Sequence, residues 1–122
     1  MLKVEKLKTL STFIIEFLKD ELGGYDDLFV EQINGNISEL WRINSGESYA
    51  ITRLETDLLT GRTVFVLCVY KGKNVIQFCD HVLKIAEKNN WSIRFHTEKI
   101  AFAKWMQKQY NFNSIEYVLT RD

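Results

Sequence analysis

"VFVLCVYKGKNVIQFCDHV", residues 64–82, passes from an unbroken apolar run through a short basic turn into apolar positions at helical spacing. A run apolar on both faces belongs to a strand covered on both sides, so this strand is expected at the centre of a sheet. Beyond the turn, Val75, Phe78, Cys79, Val82, Ile85 and Ala86 form one stripe, with Asp80, Lys84, Glu87 and Lys88 outside it. That spacing predicts a core helix, ended by Asn89 and Asn90. Strand, loop and helix in this order bring free backbone N–H groups and the positive end of a helix dipole to the loop, which favours an anion such as phosphate.

Downstream, "WSIRFHT" (91–97) alternates as a strand, Glu98 to Tyr110 carries Ile100, Phe102, Ala103 and Met106 as a helix, and "SIEYVLTR" (114–121) reads as a last strand. Joining the strand at 63–70 to the strand at 92–97 through a helix calls for a parallel crossover, spanning 63–97. Upstream, Leu7, Leu10, Ile14, Phe17 and Leu18 recur at three- and four-residue steps until Gly23 and Gly24, which predicts an amphipathic helix within residues 1–24. A shorter helix carrying Phe29, Val30 and Ile33 ends at Asn34-Gly35-Asn36. "SELWRIN" (38–44) and "SYAITRLE" (48–55) read as half-exposed strands joined by the Asn44-Ser45-Gly46 turn. The expectation is one α+β domain over 1–122, with helices on both faces of a mixed, mostly antiparallel sheet and one parallel βαβ crossover.

With 122 residues and 46% hydrophobic content, the chain can bury a core without disulfides or a structural metal. Sixteen Lys plus Arg balance sixteen Asp plus Glu, so no strong field draws nucleic acid or an anionic membrane, and neither is expected as a partner. Cys68 and Cys79 lie in apolar runs and match no metal-ligand spacing; they read as small buried hydrophobes in a reducing compartment, with no metal. The longest uncharged N-terminal run, Thr9 to Ile15, is too short to span a bilayer, so a cytoplasmic protein, or one inside a particle assembled there, is expected.

The element order, the "VYKGKNVIQF" turn (69–78) and the "MQKQYNFNSIEYVLTRD" ending (106–122) resemble the GNAT family of N-acetyltransferases, over about residues 25–122. The compact form with a long N-terminal helix is similar to the GNAT-like proteins of tailed phages, including the internal virion protein type. The resemblance implies a three-layer αβα domain in which acetyl-CoA lies where two parallel strands splay, its pyrophosphate on the loop before the crossover helix. The cofactor-binding candidates are then Val69, Tyr70, Lys71, Gly72, Lys73 and Asn74. The family loop reads Gln or Arg, two residues, Gly, one residue, then Gly or Ala, and this chain has Lys71, Asn74 and Ile76 there. Both small positions are lost. The family's Tyr that protonates the leaving thiolate falls at Gln107 and its Asn at Ile100, with Tyr110 as a substitute if the register shifts.

As bases, His96 beside Glu98 at a strand end and Glu55 at the end of another are candidates, each also readable as an ordinary surface residue. "KGK" (71–73) lacks the spacing of a nucleotide loop. Trp41, Trp91 and Trp105 lack an interleaved basic stripe, so packing or an interface is their expected use. The reading that follows is a GNAT-like scaffold without efficient acetyl transfer that binds another protein, as a phage particle component or as an inhibitor of a host or host-defence system. It needs no cofactor and allows a homodimer. The alternative is an active N-acetyltransferase using acetyl-CoA.

Overall fold

The computed structural model describes residues 2–97 and 115–119, with side chains over 2–94. Its elements are β1 (Val4–Leu7), α1 (Thr12–Phe17), α2 (Lys19–Leu22), α3 (Asp26–Asn34), β2 (Ser38–Ile43), a 3-10 turn (Asn44–Gly46), β3 (Ser48–Thr56), β4 (Thr63–Gly72), α4 (Val75–Asn89), β5 (Ser92–Thr97) and β6 (Ile115–Leu119). The strands form one sheet in the order β1-β2-β3-β4-β5-β6. Three neighbouring pairs are antiparallel, from β1·β2 to β3·β4. The pairs β4·β5 and β5·β6 are parallel, so β6 adds a second parallel pair to the crossover read from the sequence.

Helices cover both faces. Against one face, α4 packs Phe78, Cys79, Val82 and Ala86 onto Ile43, Ala50, Phe65, Leu67 and Ile93. Against the other, α1, α2 and α3 bring Ile14, Leu18, Leu22 and Ile33 onto Leu40, Tyr49, Ile51 and Val69. As its unbroken apolar run requires, β4 is interior, with Val64 to Leu67 all buried.

The N-terminal region departs from the single helix expected within residues 1–24. Residues 4–7 are a strand, and the helical part breaks at Leu18, which has φ −95° and ψ 8°. Ser11 caps α1 by accepting from the Ile14 N–H at 3.4 Å, and Gly23, left-handed at φ 58°, ends α2. The helical spacing of Leu7, Leu10, Ile14 and Leu18 arises because all four face the same core, although Leu7 does so from a strand. Because β1 takes the sheet edge, β2 becomes interior, and β3, between β2 and β4, is covered by helices on both faces. Residues 48–52 of β3 are therefore buried, where half-exposure was expected. The helix expected over 98–110 lies outside the described residues.

Candidate functional site

The parallel ladder between β4 and β5 runs from Val64 opposite Ser92 to Leu67 opposite Phe95, and stops there. Above that point β4 continues to Gly72 beside β3, while His96 and Thr97 of β5 pair only with β6. The two strands part, and the opening lies below the start of α4.

The parting coincides with a bulge. Ile51 is opposite Val69 and Thr52 opposite Leu67, which leaves Cys68 without a partner on β3. Phe65 and Leu67 consequently point to the α4 core, whereas Cys68 and Val69 both point to the core under α1–α3. Tyr70 returns to the α4 side, its ring 5.3 Å from that of Phe78. Burial pushes both the Cys68 thiol and the Tyr70 phenol above their ordinary pKa values, so neither is a ready nucleophile or base.

The loop above the opening is fixed from the turn between β2 and β3. The Ser48 hydroxyl and the Tyr70 hydroxyl both donate to the Lys73 carbonyl. Gly72 has φ 123°, and a Cβ there would collide with the Glu47 carbonyl and come within 2.7 Å of the Ser48 Cα. Only glycine allows this approach. Asn74 takes φ 67° as the residue before α4, a left-handed conformation that Asn tolerates better than other side chains. Its amide makes no cap hydrogen bond and instead donates to Glu47 Oε2 at 3.1 Å.

Lys71 is drawn to the opposite face. Its ammonium lies 5.3 Å from the centre of the Phe17 ring and 3.7 Å from Glu21 Oε2. Ile76, in the first turn of α4, is 46% exposed and places a branched side chain beside the loop. Glu55 stands elsewhere: it is opposite Val64, three residues toward the closed end from Leu67. Its carboxylate accepts from Arg53 at 2.8 Å and lies 3.9 Å from Arg94. The backbone of His96 is at the opening. Tyr110, Glu98, Ile100 and Gln107 lie outside the described residues. Trp41, read as packing or interface, donates from Nε1 to Thr52 Oγ1 at 2.8 Å and packs at the margin of the α4 core.

Sequence reasoning missed Cys68 as the bulged residue, and Glu47 and Ser48 as the residues that hold the loop. A uniformly apolar strand has no alternation to break, and a contact across 25 residues leaves no local pattern. A groove of about 600 Å³ between β1 and the end of α3, lined by Lys6, Leu7, Ile33, Asn34, Ser38 and Glu39, is remote from the parted strands. Among the described residues no three His, Cys, Asp or Glu side chains gather as a metal site, and no helix is long and apolar enough to cross a membrane.

No protein-family model matches the sequence, and no curated protein does. Solved structures do match. One is a probable acetyltransferase, with a TM-score of 0.65 at 10% identity, the alignment covering 98% of this chain and 99% of that one. A second is the ribosomal-protein-alanine N-acetyltransferase of Brucella melitensis biovar Abortus 2308, with a TM-score of 0.61 at 14% identity over 98% and 99% of the two chains. A third is an aminoglycoside acetyltransferase from an uncultured soil metagenomic sample, with a TM-score of 0.55 at 12% identity over 100% and 97%. At these identities the likeness carries the fold, which is GNAT-like.

Proposed function

We propose that this chain is a GNAT-like scaffold that acts by binding another protein, with acetyl transfer slow or lost. The observation that carries this reading is the side-chain content of the loop before α4. Where the family pattern has a basic residue and two small ones, Lys71 is engaged by Phe17 and Glu21, Asn74 is tied to Glu47, and Ile76 stands half exposed on the first turn. A pyrophosphate needs close backbone approach at that point, and a branched side chain obstructs it. Exposed apolar side chains elsewhere suit a protein partner: Phe13 is 72% exposed, and Leu58 and Leu59 on the β3–β4 turn are 95% and 97% exposed. The setting proposed is a phage, with the protein either part of the particle or an inhibitor of a host or host-defence system, in the host cytoplasm or inside the virion.

The test is a melting scan with millimolar acetyl-CoA. A ligand at a hundred times its dissociation constant stabilises a fold by about 2.7 kcal/mol, which in a domain of this size raises Tm by roughly ten degrees. Almost no shift is expected, and a rise of that size would overturn the proposal.

A second reading, an acetyl-CoA-dependent N-acetyltransferase, is favoured by one observation: β4 and β5 part after Leu67, below the loop before α4, where the resemblance would put the cofactor. Product formation from acetyl-CoA and an amine would decide for it.

A further inference from the structure

Strand β1 is one edge of the sheet, and its register with β2 determines what it offers outward. Lys3 lies one residue before Val4, opposite Asn44, and the Asn44 N–H donates to the Lys3 carbonyl at 2.8 Å. Bonded and non-bonded pairs alternate along an antiparallel ladder. Glu5 and Leu7 therefore turn their backbone groups toward β2, while Val4 and Lys6 turn theirs away from the sheet. The side chains sort by face. Leu2 and Val4 are half buried at the margin of the α4 core. Lys3 and Glu5 lie on the opposite face, where Glu5 meets Arg42 at 2.7 Å and Lys3 at 3.6 Å.

Edge strands are commonly protected by charges that repel a second strand. This edge instead reads Lys3-Val4-Glu5, which complements itself when reversed. With a two-fold axis at Val4, the outward N–H and C=O of Val4 meet those of Val4 in a second copy as a hydrogen-bonded pair. Lys3 then stands opposite Glu5 of the second copy, and Glu5 opposite its Lys3. Keeping the outward groups paired but moving the register by two residues sets Glu5 against Glu5 in one direction and Lys3 against Lys3 in the other, and like charges directly opposite are unfavourable. On the other face, the half-buried Val4 of each copy meets its counterpart, and each Leu2 stands opposite Lys6 of the second copy.

We propose that a second copy of this chain pairs antiparallel along β1 in this register, joining the sheets of the two copies into one. A strand pair this short buries less than the roughly 1,200 Å² of a standard interface, so the association is reversible and depends on concentration.

Sedimentation across a concentration series tests it. The wild-type chain should move from monomer toward dimer. Val4→Pro removes an N–H that only the second copy uses, at an edge position where proline is tolerated, and should weaken association by about tenfold or more. Lys3→Glu and Glu5→Lys should each abolish self-association, and an equimolar mixture of the two should restore pairing, because each then faces its complement. A wild-type chain that stays monomeric throughout would overturn the proposal. So would a dimer that Val4→Pro leaves intact with unchanged circular dichroism, or charge variants that fail to pair when mixed.

Discussion

The two halves of β4 carry similar apolar letters, Val-Phe-Val-Leu at 64–67 and Cys-Val-Tyr at 68–70, yet they are held by different means. The lower half is paired on both sides, and Phe65 and Leu67 pack into the α4 core. Phe65 also stacks on Trp91 at 6.5 Å. The upper half has lost β5 as a neighbour, and its path is fixed by Gly72 pressed against Glu47 and Ser48 and by the doubly bonded Lys73 carbonyl. Below the bulge, side-chain burial specifies the strand; above it, backbone geometry does. The upper half can host a site because the contacts that fix it come from the turn between β2 and β3 and not from β5.

The largest expected effect tests the lower half. Leu67→Ala should cost about 2 to 5 kcal/mol in a denaturant titration, as large-to-small core changes do. A loss under roughly 1 kcal/mol would mean that packing does not hold this half. For the upper half, Gly72→Ala should cost on the order of 1 to 3 kcal/mol, since the new methyl meets backbone at a strained φ. If that variant is as stable as wild type, the loop is not held in the way described.

Alkaline pH probes the packing around the lower half. Burial pushes the Cys79 thiol, packed against the lower half, up to about 12 from an ordinary 9.0. The unfolded thiol loses its proton near 9 and the folded one only near 12, so this contribution is complete below pH 9 and falls as pH rises toward 12. The slope is about 1.4 kcal/mol per pH unit, and Cys79→Ala should remove it from unfolding curves measured between pH 9 and 11. The smallest effect concerns Asn74. Asn74→Gly should be neutral within about 0.5 kcal/mol, while Asn74→Ala should cost about 1 kcal/mol, because at φ 67° only glycine and Asn sit without strain. Equal costs for the two would indicate that the bond to Glu47, not the backbone conformation, is what Asn74 supplies.

The features legible in the sequence were those set by burial along one element. The apolar run of β4 and the stripe of α4 announced the crossover, and Asn89-Asn90 announced its end, with Asn90 left-handed at φ 56°. Features set by contacts between elements were not legible. Leu7 and Leu10 fit a helical period while belonging to a strand and a loop, because periodicity records which face is buried and not the local hydrogen bonding. The bulge at Cys68 was invisible because every residue around it is apolar. At the site, the loop 71–74 was found through its position before α4, but the roles of Glu47 and Ser48 depend on the sheet register, which brings residue 48 opposite residue 72.

The junction of Glu47, Ser48 and Gly72 also determines where this chain can change length. The turn at 44–47 joins two adjacent strands, the usual place for an insertion, but here it is a structural part of the loop before α4. One added residue would displace Ser48 from Lys73 and shift the start of the helix. The tip of the β3–β4 turn at 57–62 closes on itself through Gly61 N–H to the Asp57 carbonyl at 2.7 Å and Asp57 N–H to the Arg62 carbonyl at 2.8 Å, and Arg62 at its end reaches Asn90 Oδ1 at 3.4 Å. Chains descended from this one can therefore lengthen at the tip, 58–60, while keeping the spacing from Asn44 to Ser48 constant.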